Sequence, residues 1–314
     1  MPTNRNSSLQ NNKNLSDNII SKINEAVFDG DGNFFILVDP VLLRYTGHDD
    51  FFQILEIREC HKVLFPHPEL ENAVELWLIQ IDKNKADDIA LFESSVIKSL
   101  TELDLDRLKS GLGRSVCSWI STNMDLQSLS QYISYTALQK TPSGGEALVR
   151  FFDPAVFGLL FDRLDHWQQQ RLLSNIITWS YIDGDGLPCF MHGEDSSMPK
   201  LNFSLGFSVN EWCDIQNILR INKILRSYRE NYPDGAVSEL QAARLLYPAL
   251  NYFSLHFTLE DEGYVGFGID ILTINPFLYN FIDMKKYCSV GSSDSLLSYI
   301  DVREKIKIAL QTKS

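Results

Sequence analysis

Cysteine is sparse in this 314-residue chain. Cys60, Cys117, Cys189, Cys213 and Cys288 include no pair spaced as a metal knuckle or a disulfide framework. They read as reduced thiols, mostly buried, in a cytoplasmic protein. Basic charge is also short: 28 Lys and Arg stand against 41 Asp and Glu, a net charge of −13 that disfavours a generic grip on nucleic acid or an anionic membrane. Uninterrupted apolar runs are lacking too. The greasiest stretch, Tyr264 to Ile282, contains Asp270, Asn275, Pro276 and Asn280, costly groups in hydrocarbon, so it reads as buried core rather than a membrane insertion. Met1 to Asn14 is rich in Asn and Ser with no apolar h-region, and reads as a disordered tail without a secretory signal.

Motifs that carry chemistry are missing as well. The chain has no G-x-S-x-G elbow, Walker A loop, H-E-x-x-H or G-x-G-x-x-G turn, and Gly144-Gly145 does not open a helix after a strand as phosphate binding requires. Two Asp-Gly-Asp-Gly segments, at Asp29 and Asp183, suggest calcium, but counting positions puts Phe34 and Pro188 where a calcium loop needs glycine. Turn chemistry is the stronger reading. Cys60, His61 and His67 lie close in sequence, but a metal needs a third or fourth ligand of matching geometry and no spacing here is compelling. The expectation is a protein with no catalytic residues, no metal and no cofactor.

Secondary-structure signals are plentiful. Leu15 to Val27, Ala86 to Leu100 and Asp125 to Leu138 carry helical periods, the last with Asp125 as cap. Short apolar runs at Phe34 to Val38, Lys62 to Phe65, Glu75 to Ile81, Ser115 to Ile120, Glu146 to Phe152 and Ile176 to Ile182 read as strands, the last of them final. The pattern predicts an α/β (α+β) domain over 15–194, with a mixed sheet covered by helices. A smaller, mostly helical domain over 195–314 follows, beginning with a helix from Ser208 to Tyr228 capped by Ser208 or Asn210. That helix is apolar over too wide an arc for one contact face and should sit between two neighbours.

In Val149-Arg-Phe-Phe-Asp-Pro154 a charge sits in an apolar strand, which demands a partner or a path to water. Asp153 can cap the next helix with Pro154 in its first turn, and Asp39-Pro40 repeats the device. Arg150 is then either a paired structural residue or the edge of a groove. Four segments carry a resemblance: Phe34-Phe-Ile-Leu-Val-Asp-Pro40, Gly113-Arg-Ser-Val-Cys-Ser-Trp-Ile120, Ala147-Leu-Val-Arg-Phe-Phe-Asp-Pro-Ala-Val-Phe157 and Leu164-Asp-His-Trp-Gln-Gln-Gln-Arg171. Over residues 34 to 182 the chain resembles the type VI secretion adaptor chaperones, the Tap or TEC proteins.

The resemblance implies a cytoplasmic, non-enzymatic chaperone that binds a cognate secreted effector and helps load it onto the VgrG or PAAR spike. Competing readings are a hydrolase with a cleft between its domains and an immunity protein that neutralises a basic toxin. Residues 195–314 match no family by eye, yet they carry an aromatic surplus suited to an apolar cargo segment. Candidate partner-binding residues are therefore Arg150, Trp212, Tyr228, Tyr232, Tyr247, Tyr252 and Phe253, with Phe257 beside them.

Overall fold

The helical spacing in Leu15 to Val27 is realised in α1 (Asn4–Phe28), which buries Ile19, Ile23 and Val27 one turn apart. The stretch read as a tail is thus helical from Asn4 onward. The computed structural model describes residues 4–28, 32–44, 50–70, 74–109, 113–194, 203–233, 235, 237–281 and 297–311. Most of the Asp29 turn, residues 195–202 at the start of the expected second domain, and Cys288 lie outside them.

Elements α1, β1 (Asn33–Val38), α2 (Pro40–Arg44), α3 (Asp50–Glu56), β2 (His61–Val63), β3 (Leu76–Ile81), α4 (Ala86–Thr101), α5 (Leu105–Lys109) and β4 (Val116–Thr122) come first. They are followed by α6 (Leu126–Ala137), β5 (Leu138–Lys140), β6 (Glu146–Leu148), α7 (Pro154–Phe161), α8 (His166–Leu172), β7 (Ile176–Ile182) and β8 (Pro188–His192). Six strands form one sheet in the order β2-β3-β1-β4-β7-β8, with β5 and β6 as a separate hairpin. Every pairing is antiparallel, so the expected mixed sheet is an antiparallel one.

Register puts Ile36 opposite both Ile79 and Trp119, and this face packs under α1, α3 and α4 through Ile23, Phe52, Phe92 and Val96. The Trp119 indole N–H donates to the Ser95 hydroxyl of α4 at 2.8 Å. On the other face Trp179 stacks on Phe157 of α7 at 5.1 Å and meets Phe151 at 5.6 Å. Helices therefore cover both faces of the sheet, which is why β1 and β4 are apolar or small throughout.

Three sequence expectations change. The strand expected over Glu146 to Phe152 ends at Leu148, because the Asp153 N–H turns back to the Arg150 carbonyl at 2.9 Å. Strand β7 is not the last: Asp183 opens a hairpin to β8, its carboxylate accepting from the Asp185 and Leu187 N–H groups, with Gly186 at φ +79°. The domain boundary moves from 194/195 to between Phe207 and Ser208. Gln139 holds the intervening chain to the first unit by accepting from Leu205 N–H at 2.7 Å and donating to the Phe203 carbonyl at 3.0 Å.

The second unit contains α9 (Val209–Asn231), α10 (Glu239–His256), α11 (Asp261–Thr273) and α12 (Tyr299–Gln311). Ser208 supplies the cap of α9, with Glu211 completing a capping box. The wide apolar arc of α9 is explained by two neighbours, α10 and α11. Asp270 of α11 is buried and accepts a two-pronged bond from Arg303 of α12, both contacts 2.7 Å, plus the Tyr299 hydroxyl at 3.0 Å. Tyr299 completes an aromatic core with Phe253, Phe257 and Phe267, their rings 5.0 to 6.2 Å apart.

Candidate partner-binding site

The two Asp-Pro turns, far apart in sequence, meet at Arg150. Asp39 ends β1 and caps α2, accepting from the N–H groups of Val41 at 3.0 Å and Leu42 at 3.2 Å. Asp153 caps α7, accepting from Ala155 N–H at 2.9 Å, with Pro154 in the first turn. Arg150 lies between the two carboxylates, 3.2 Å from Asp39 and 3.7 Å from Asp153, and over the Phe152 ring at 5.2 Å. One guanidinium thus neutralises two carboxylates that already serve two helix dipoles.

Burial pushes the Asp39 carboxyl up, against the Leu42 N–H and the Arg150 charge. Burial works against the Arg150 charge as well, yet Asp153 and then Asp39 hold its pKa above the ordinary value. The buried Cys117 thiol is raised far up by burial and then by Asp39, so it is no nucleophile. Beside this site Glu102, following α4, accepts from Ser115 N–H at 2.7 Å and Arg107 at 3.0 Å. Burial raises its carboxyl, with the Ser115 hydroxyl and Arg107 acting the other way.

Arg150 keeps 36% of its side chain exposed, so the network has a solvent face as well as a structural one. Asp153→Ala is expected to cost about 1 kcal/mol through the lost cap, and somewhat more through the weakened hold on Arg150. Urea melts check this, and an Asp153→Ala variant that melts like wild type would show that the cap contributes nothing.

The other sequence candidates lie in the second unit, and the structure does not gather them into a groove. Trp212, Tyr228, Tyr247, Phe253 and Phe257 are all buried in the helical core, so as placed they have no surface to offer a partner. Tyr232 is exposed and stacks on Tyr228 at 5.4 Å, and Tyr252 is half-buried between His256 and Tyr279. The aromatic surplus fills the core because four packed helices need bulky side chains between them.

A cleft of about 790 Å³ opens where β1 begins and β3 ends, lined by Arg58, Cys60, His61, Gln80, Lys83 and Asp88 among others. Arg58 and Asp88, both in its lining, are ion-paired, and burial raises the Cys60 thiol, which disfavours its thiolate. Among the described cysteines only Cys117 is fully buried; Cys60 and Cys189 are partly buried and Cys213 is exposed. Among the described residues no three His, Cys, Asp or Glu side chains gather as metal ligands, and no helix is long and apolar enough to cross a membrane.

Sequence reasoning missed that Asp39 is the partner of Arg150. The repeated Asp-Pro signal marked both residues as caps but carried nothing about their distance in space. Neither a curated protein nor a solved structure matches the chain. Residues 34–171, which hold both Asp-Pro turns and Arg150, match the family model of DUF4123, a domain of unknown function.

Proposed function

We propose that this protein is a non-enzymatic adaptor chaperone of type VI secretion, which holds one cognate effector and helps load it onto the VgrG or PAAR spike in the cytoplasm. The observation that carries the reading is a coincidence of extent. The four segments that resemble the Tap and TEC adaptors fall at 34–171, the residues matched by the family model, and the Arg150 network ties the first of them to the third. A strongly acidic chain whose Cys60 and Cys117 thiols are raised by burial suits the binding of a protein partner better than thiol chemistry.

Deletion of the gene is expected to abolish secretion of one effector while the tube protein is still released, and the effector and a spike component are expected to co-purify with the tagged chain. Loss of every secreted substrate, including the tube protein, would make the protein a core component and overturn the reading. So would a reproducible hydrolytic activity lost on mutating one Asp or His.

A further inference from the structure

Strand β8 forms one edge of the six-stranded sheet, and two bonds at its ends orient its main chain. The Asp183 N–H donates to the Leu187 carbonyl at 2.9 Å, and the Gly193 N–H donates to the Ile177 carbonyl at 3.3 Å. Main-chain groups of alternate residues point to opposite sides of a strand, and the β7–β8 register runs without a bulge. Residues 187, 189, 191 and 193 therefore face β7, while Pro188, Phe190 and His192 face outward. No described strand pairs with that side of β8, so the Pro188 carbonyl and both main-chain groups of Phe190 and His192 point away from the sheet.

Exposed edges are normally blunted by lysine, a bulge or an inward charge. This one is Pro-Cys-Phe-Met-His, without a Lys, Arg, Asp or Glu, and with Pro188 only at its hairpin end. Phe190 packs against the core under the sheet and holds the edge in place. Carboxylates stand beyond both ends: Asp185 in the hairpin turn and Glu194 after His192, both exposed.

We propose that the outer edge of β8 docks an extended segment of a protein partner as a seventh strand, one with an uncharged middle and basic residues at both ends. Main-chain bonding supplies the grip, and Asp185 and Glu194 select the flanking charge. A second copy of this chain fits less well. Antiparallel pairing of two β8 edges about Phe190 would set Asp185 of one against Glu194 of the other, between two chains that each carry −13. The inference deepens the adaptor reading and rests on it for the existence of a polypeptide partner.

The test uses the full chain and a synthetic peptide of five alternating valine and threonine residues with two lysines at each end, read by residue-resolved amide hydrogen exchange. The peptide is expected to slow exchange at Phe190 and His192 at least tenfold. The same peptide flanked by glutamates is expected to bind at least tenfold more weakly, as is the lysine peptide to His192→Pro. That substitution deletes an outward donor and leaves the main-chain bonds to β7 in place, removing only the 3.2 Å bond between the His192 ring and the Thr178 hydroxyl. Should His192→Pro not fold, the wild-type exchange pattern decides alone. Unchanged exchange at these two amides, or equal binding of both peptides, overturns the proposal. So does protection that rises with protein concentration without peptide, which would make a second copy the occupant. A chain that passes the secretion test but fails this one keeps the adaptor role and loses the edge site.

Discussion

Glu102→Ala is expected to destabilise the first unit by about 3–5 kcal/mol, the range for removing one partner of a buried ion pair. Glu102 is 1% exposed and lies where α4 hands over to the segment before β4. Its carboxylate takes the Ser115 N–H and hydroxyl, the Arg107 guanidinium at 3.0 Å and Lys98 at 3.8 Å. Ser115 in turn offers its carbonyl to the Asp39 N–H at 2.7 Å, so loss of Glu102 loosens the anchor next to the Arg150 network. Alanine takes the carboxylate from two largely buried cations, Lys98 and Arg107. Glu102→Gln should cost less, because an amide keeps an acceptor for Ser115 and avoids the burial that raises the carboxyl. Urea denaturation of both variants checks the order, and a cost below about 1 kcal/mol for alanine would remove the network from the account of stability.

Asp270→Ala is expected to cost a similar ~3–5 kcal/mol in the second unit, with a more local signature. Tyr299, Arg303 and Lys307 recur every fourth residue along α12, and all three reach the one buried carboxylate, Lys307 at 3.6 Å. Burial and then the Asp270 charge raise the Tyr299 hydroxyl, which stays protonated and donates. Gly266 leaves room for the Arg303 guanidinium, which a methyl there would meet at 3.4 Å. Without Asp270, a phenol and a guanidinium that were bonded lose their acceptor, while the apolar contacts of α12 at Tyr299, Val302 and Ile306 remain. Hydrogen exchange should therefore quicken across 299–311 and in α11. Amides of β1 and β4 should be unchanged, since every contact of Asp270 lies in the second unit. Equal quickening in both units would show that the substitution acts globally and not through this cluster.

Much of the local structure was legible in the sequence. Asp125, Asp153 and Ser208 cap helices where their spacing indicates, since a cap satisfies N–H groups two or three residues away. The periods at Leu15 to Val27 and Ala86 to Leu100 turn Ile19, Ile23, Val27, Phe92 and Val96 inward, one helical turn being a local matter, but Leu15 and Ile97, read onto the same faces, are exposed. The stretch around Asp270 was legible as core, but not the residues that neutralise it. Strand β8 was passed over because Pro188-Cys-Phe-Met-His192 is short and follows a turn-rich stretch, and its strand character comes from pairing with β7. The aromatic residues of the second unit carried no sign of whether they face a groove or one another. Periodicity marks an apolar face without saying what covers it.

By itself, then, the sequence determined where helices and most strands lie, which aspartates cap them, and that Arg150 needs a partner or a path to water. Only the tertiary structure decided the strand order, the meeting of Arg150 with an aspartate 111 residues away, the pairing of Asp270 with Arg303, and which strands form the edges of the sheet. Propensity and capping act within one turn of chain. Partners brought together across the sheet or between helices are chosen by how apolar faces close over one another, a choice that depends on all the faces at once.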